Sequence, residues 1–177
     1  VEHVVPEEPV YITGEQKDVI AEVSLQYNDG YEESIYSYVN DINTREGGTH
    51  LDGFKNALTF VMNKALDSNE KLFKKLNPKV DRNKKPSEAD KKKEIKVERL
   101  TGDDVRTGIA AVISVKVPEP QFEGQTKQKL GNTEVRSIVY SLVSEKLTQW
   151  FEQNPQICNS ILEKAVNEAL GRITART

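Results

Sequence analysis

The sequence predicts an α+β domain, with helices layered on one face of a mainly antiparallel sheet. Three observations carry this. Residues 18–27 and 109–117 alternate apolar and polar side chains, the period of a half-buried strand. Residues 51–65, 135–151 and 157–170 place apolar side chains at steps of three and four, the stripe of a helix packed on a core. The order of these segments, strands then helix then strand then helices, is that of an α+β domain rather than of alternating βαβ units.

Taken in order, residues 10–13 read as a short strand and residues 18–27 as a longer one, with Val19, Ala21, Val23, Leu25 and Tyr27 on one face. Asn28-Asp29-Gly30 carries a hairpin signal, because glycine tolerates the positive φ that tight turns need. Residues 31–40 are therefore expected to return antiparallel to the strand before them. After the loop 43–48, Thr49 is the expected N-cap of a helix, with Asp52 completing an approximate capping box. Residues 68–96 are the least apolar stretch and read as an inserted mobile loop with a helical piece near residues 71–76. Thr101 is expected to cap a short acidic turn ended by Gly108. The strand 109–117 stops at Pro118-Glu119-Pro120, since proline cannot donate to a ladder. Asn132 is the expected cap of a long C-terminal helix, interrupted and restarted at Asn154-Pro155.

The chain has 177 residues, enough for one domain with its own core, and is 36% hydrophobic and 30% charged. Its net charge of -3 hides an asymmetry. Residues 63–99 hold 13 Lys+Arg against 7 Asp+Glu, an excess of +6, so the remainder carries -9. A basic segment in an acidic domain suits either solvation or contact with a polyanion. The single Cys158 cannot form an internal disulfide, which fits a reducing compartment. No stretch approaches the roughly 20 apolar residues of a membrane helix. The first residues, Val1-Glu2-His3-Val4-Val5-Pro6, do not read as a signal peptide and lack Met, as expected of a piece of a larger protein.

Several catalytic classes lack their residues. The chain has neither a GxxxxGK[ST] phosphate loop nor a GxGxxG turn, and His3 and His50 have no partners at metal-ligand spacing. Both histidines read as loop or surface residues, and Cys158 as a packing residue. No Ser/His/Asp arrangement is available. The loop after Val117 is the exception. Between a strand end and a helix start it presents Gln125, an amide; Thr126, a hydroxyl; and Lys127, a point charge suited to a terminal phosphate. By themselves these residues favour a solvated polar loop.

Longer motifs add to this. Asp29-Gly30-Tyr31 with Ile35-Tyr36-Ser37, then Asn43-Thr44-Arg45-Glu46-Gly47-Gly48-Thr49-His50 and Gly53-Phe54, resemble the second domain of the bacterial DNA gyrase B protein. So do Leu100-Thr101-Gly102-Asp103-Asp104-Val105-Arg106 and the run from Val115 through Gln125-Thr126-Lys127 to Asn132. The resemblance covers nearly the whole chain except residues 68–96. It implies a transducer domain, spanning residues 1–177, that follows an ATPase domain of the gyrase/Hsp90/MutL type in an ATP-dependent type II DNA topoisomerase. The implied fold is that of ribosomal protein S5 domain 2, with a left-handed crossover against the usual handedness. The implied chemistry has Gln125 and Lys127 reaching the γ-phosphate of ATP held, with Mg2+, by the preceding domain; Lys127 is catalytic there as an electrostatic stabiliser. The implied partners are that ATPase domain, a following TOPRIM domain, the gyrase A protein, double-stranded DNA and a second copy of the gyrase B protein. The implied location is the bacterial cytoplasm, on the chromosome, and the chain alone is expected to be inactive.

The Lys-rich segment at about 68–96 exceeds the family's usual connection. In the expected DNA-facing Ala/Arg run near the C-terminus, only Arg172 and Arg176 match. A solvated helix end suits these two equally well. Two further readings stay open: the equivalent domain of topoisomerase IV, which Asn43-Thr44 before the glycine pair argues against, and a nucleic-acid-binding module built on the Lys-rich segment, where Phe73 is the one aromatic available to stack a base.

Overall fold

The computed structural model describes residues 4–80 and 97–175. Five strands form one sheet: β1 (Val4–Gln16), β2 (Val19–Asn28), β3 (Ser34–Val39), β4 (Ile42–Asn43) and β5 (Ile109–Lys116). Among the described residues five helices accompany it: α1 (Thr49–Ser68), α2 (Glu70–Leu76), α3 (Gly102–Arg106), α4 (Thr133–Gln153) and α5 (Pro155–Ala175). The strand order is β1-β2-β5-β3-β4. All neighbours are antiparallel except β3 and β5, which run parallel. The fold is α+β with a mixed sheet.

The expected hairpin between residues 18–27 and 31–40 does not exist. β5 lies between those two strands, pairing Val112 with Ser24 on one side and with Tyr36 on the other. Asn28-Asp29-Gly30 turns the chain, but the strand that fills the space beside β2 begins only at Ile109. The true hairpins sit at turns without glycine. Lys17-Asp18 joins β1 to β2 and Asn40-Asp41 joins β3 to β4, and all four residues have positive φ, between 49° and 67°. Two successive left-handed residues match the right-handed twist of flanking strands.

β1 is far longer than residues 10–13. Its register on β2 slips between Val5 and Val10, which breaks the alternation a sequence reader would follow. Gln26 on β2 repairs the slip by donating its amide to the carbonyls of Pro6 and Glu7 at 3.1 and 2.9 Å.

The helices cover one face of the sheet, as expected. Val19, Ala21, Val23, Leu25 and Tyr27 of β2 and Ile109, Ala111, Ile113 and Val115 of β5 are buried beneath them. Tyr11, Tyr36 and Val112 stand exposed on the other face. α1 and α4 pack so tightly that a β-carbon at Gly53 would lie 2.6 Å from the carbonyl oxygen of Arg136. α2 exists where a helical piece was expected and buries Leu72, Phe73 and Leu76. Asn77 beyond it accepts from the Glu98 amide at 2.6 Å and donates to the Glu98 carbonyl at 3.1 Å. These two bonds tie the described chain before residue 81 to the described chain after residue 96. Most of the expected mobile insertion, residues 81–96, lies outside the described residues.

Thr101 caps α3 as expected, and the structure adds a full capping box. Thr101 Oγ1 accepts from the Asp104 amide at 3.2 Å, and Asp104 Oδ2 accepts from the Thr101 amide at 2.8 Å. Two caps differ from expectation. The cap of α1 is Gly48, and the Thr49 hydroxyl is buried without a hydrogen-bond partner. Asn132 is the N-cap residue of α4, but its side chain caps no backbone amide of that helix and bonds the preceding loop instead. For Asn132 the competitor is main chain from outside the helix.

Candidate functional site

The loop between β5 and α4 has a fixed stem and a free tip. At its start Asn40 donates to the Val117 carbonyl at 3.0 Å and accepts from the Val117 amide at 2.8 Å. At its end Asn132 accepts from the Gln121 amide at 2.6 Å and donates to the Glu119 carbonyl at 3.1 Å. The Asn132 side-chain amide also donates to Glu134 at 2.7 Å, and that bond holds the Glu134 carboxyl below its ordinary range. Between these clamps the stem closes on itself: the Glu123 amide donates to Lys129 at 2.8 Å, and the Gly131 amide to Gln121 at 2.7 Å.

The stem is also bonded to the turn 44–48. The Glu46 amide donates to Gln128 at 2.9 Å, and the Leu130 amide to Gly47 at 3.1 Å. The Thr49 amide donates to the Leu130 carbonyl at 3.0 Å. That last bond satisfies a donor that the first turn of α1 leaves open, so the loop stem itself caps α1. Gly48 makes the approach possible. Its φ of 133° is one that L side chains rarely adopt, and a β-carbon there would lie 2.4 Å from the Leu130 nitrogen. Leu130 is fully buried and anchors the stem in the core.

Gln125, Thr126 and Lys127 form the exposed tip, entered through Gly124 at φ 82°. The loop holds two lysines, and their situations differ. Lys129 pairs with Glu123 across the stem at 3.2 Å. Lys127 has no such partner among the described residues, so it is the cation the loop presents. An amide and an unpaired ammonium at the end of a braced stem suit an anionic group delivered from outside the chain. Among the described residues, no cluster of three or more His, Cys, Asp or Glu side chains is placed to hold a metal ion. No helix among them is long and apolar enough to cross a membrane.

Arg172, offered as DNA-facing, forks onto the buried Asp104 with Nη2–Oδ2 and Nε–Oδ1 distances of 3.1 and 3.3 Å. Its Nη2 also donates to the Arg99 carbonyl at 3.3 Å. The guanidinium ties α5 to the capping box of α3, and Asp104 rather than solvent sets its direction. Arg176 lies outside the described residues. Cys158 is half-buried on α5, and burial pushes its thiol up, away from the nucleophilic thiolate.

His50 corrects the expectation of a surface histidine. It is fully buried in the first turn of α1, and burial lowers its pKa from 6.5 to about 4. Its Nε2 lies 3.0 Å from Thr44 Oγ1. The only sequence signal was its place between Thr49 and Leu51, two residues after the glycine pair.

A family model described as DNA gyrase B matches residues 1–85 and 83–177, the whole chain. The DNA gyrase B protein of Treponema denticola is 57% identical over 173 residues, covering 98% of this chain and 24% of that protein. The gyrase B protein of Mycobacterium tuberculosis is 50% identical over 155 residues, covering 88% and 20%. The chain therefore spans about a quarter or less of these relatives. The crystal structure of the 43K ATPase domain of Thermus thermophilus gyrase B, in complex with an aminocoumarin, superposes with a TM-score of 0.75 at 35% identity, covering 97% of this chain and 41% of that one. The topoisomerase IV ATP-binding domain of Francisella tularensis gives 0.73 at 30%, covering 95% and 41%. With its sequence matched across its full length and its fold across nearly all of it, this chain belongs to the DNA gyrase B family.

Proposed function

We propose that this chain is the transducer domain of a gyrase B protein, with the S5 domain 2-like fold, and that its Gln125-Thr126-Lys127 tip contacts the γ-phosphate of ATP held by the preceding ATPase domain. The observation that carries the reading is the contrast within the loop: a stem bonded at every turn, and a tip whose lysine is left unpaired among the described residues. The share of the Thermus ATPase-region structure that this chain covers, 41%, leaves the larger part of that region to residues outside this chain. That share suits a nucleotide site completed by two domains.

When bound, ATP with Mg2+ on the ATPase domain supplies the transferable phosphoryl group. Lys127 places its ammonium against the phosphoryl oxygens and offsets the charge that builds there during transfer. Gln125 donates its amide and orients the tip. The stem transmits docking, because the carbonyl that caps α1 belongs to Leu130 of the same loop. A tip that docks or releases shifts that cap, and with it α1 and the α4 it crosses at Gly53. In the whole enzyme this couples ATP turnover to DNA strand passage; its partners there are the TOPRIM domain, the gyrase A protein and a second copy of the gyrase B protein. Identities of 57% and 50% to gyrase B proteins favour gyrase over topoisomerase IV.

Lys127→Ala in the full-length protein tests the assignment. Loss of one such contact costs about 10²- to 10³-fold in ATP turnover. Turnover within a factor of about two of the parent would refute it. The isolated chain is expected to show no measurable ATP binding by calorimetry.

A further inference from the structure

The turn that carries the loop stem is itself held from behind, by His50. Thr44 Oγ1 lies 3.0 Å from His50 Nε2 and 2.8 Å from Ser37 Oγ. Ser37 Oγ donates to the Thr44 carbonyl at 2.9 Å. Counting protons sets the direction of this relay. The serine hydroxyl has one proton, and it lies on the Thr44 carbonyl. Thr44 then donates to Ser37, and His50 Nε2–H donates to Thr44. His50 Nδ1 is left as the unprotonated nitrogen, buried and without a hydrogen-bond partner.

A leucine of similar bulk would fill this space without burying a polar nitrogen unpaired, which carries a cost. What the imidazole adds is the bond to Thr44. That bond ties α1 to a turn whose other side bears the stem, through Glu46 to Gln128 and Leu130 to Gly47. The turn is thus gripped by β3 through Ser37, by α1 through His50, and by the loop through its own backbone.

We propose that His50 is a positioning residue for the loop tip: its neutral Nε2–H holds Thr44, fixes the turn 44–48, and so sets where Gln125 and Lys127 are presented. The proposal rests on reading the tip as the γ-phosphate contact. His50 itself touches no reacting group.

The test compares His50→Leu, His50→Gln and Thr44→Val in the full-length protein. One readout is kcat and KM for ATP hydrolysis; the other is amide hydrogen exchange at Glu46 and Leu130 without nucleotide. A displaced tip costs roughly 10- to 100-fold in kcat. We expect that loss in His50→Leu and Thr44→Val, with exchange at both amides faster by about the same factor, from the local opening it reports. His50→Gln, whose terminal amide reaches the position of Nε2, should recover both in part. Lys127→Ala should lower kcat with both amides still protected. Parental kcat in His50→Leu, or faster exchange with no change in kcat, overturns the proposal. Should His50→Leu fail to fold, Thr44→Val and Ser37→Ala decide from the other end of the relay. Normal turnover in Lys127→Ala would remove the γ-phosphate reading alone, and the exchange rates would still decide whether His50 holds the turn.

Discussion

Leu130 passes Gly48 closely enough that a β-carbon on the glycine would stand 2.4 Å from the leucine nitrogen and 2.5 Å from its carbonyl oxygen. Both contacts are to backbone, which cannot rotate aside. Gly48→Ala is expected to destabilise the chain by roughly 2–5 kcal/mol, adding strain at φ 133° to an overpacked approach. Urea denaturation measures the loss. A variant as stable as the parent would mean that the stem does not lie against this turn.

Asn40, Asn63, Asn77 and Asn132 repeat one device. Each presents a side-chain amide to backbone elsewhere in the chain, accepting from an N–H and donating to a carbonyl. For Asn63 the partner is Leu100, at 2.9 and 3.0 Å. Asn63→Asp keeps the shape and removes the donor, setting a carboxylate oxygen against the Leu100 carbonyl. A loss of about 1–3 kcal/mol is expected, read by thermal or urea unfolding. Parental stability would show that this clamp does not contribute.

His50 makes stability depend on pH in a defined window. Its pKa is 6.5 unfolded and about 4 folded, so between these values the unfolded chain binds a proton that the folded chain refuses. Stability is full above pH 6.5, falls as pH drops toward 4, and gains no further slope from this group below that. The shift corresponds to at most about 3 kcal/mol. Unfolding free energies from about pH 7 down to 4 should fall less steeply in His50→Gln than in the parent. Identical slopes would mean that the ring titrates alike in both states.

Arg172 and Asp104 separate structure from DNA contact. Arg172→Ala leaves a buried carboxylate without its fork and should cost about 1–3 kcal/mol in stability, discounted for the partly exposed guanidinium. In the full-length protein the salt slope of DNA binding should change by less than about one, the share of a single phosphate contact. The opposite pattern, unchanged stability with a shallower slope, would restore Arg172 to the DNA.

Legibility in the sequence followed the range of the forces involved. β2, β5, α4 and α5 were readable because each has one buried face and a regular period. The cap at Thr101 was readable because the hydroxyl and the amide it serves lie within one helical turn, though the reciprocal bond from Asp104 was not foreseen. The strand order was not, because Asn28-Asp29-Gly30 announces a turn and says nothing of which strand arrives beside it. The tight turns at Lys17-Asp18 and Asn40-Asp41 were hidden because neither contains glycine, the usual marker of positive φ. Thr49 looked like a cap but lies one residue inside the helix, after Gly48, and Asn132 was drawn off by the backbone of Gln121 and Glu119. His50 looked like a surface residue because the side chain it bonds, Thr44, lies outside its own helix. At the site, the residues of the tip were visible as chemistry, but the rigidity beneath them comes largely from bonds between segments far apart in sequence, such as Asn40 to Val117 and Glu46 to Gln128.

The placement of β5 has a consequence for how this domain is made. β1 with β2, and β3 with β4, are local hairpins that a growing chain can form early. They cannot join, because the strand between them begins 70 residues after β3 ends. At about 5–20 residues per second, a ribosome needs on the order of several seconds to supply it. Throughout that interval two ribbons carry unpaired inner edges, and β5 closes both at once. The centre of the sheet is therefore its last strand to be synthesised, and a nascent chain arrested before residue 109 lacks the strand that joins the two halves.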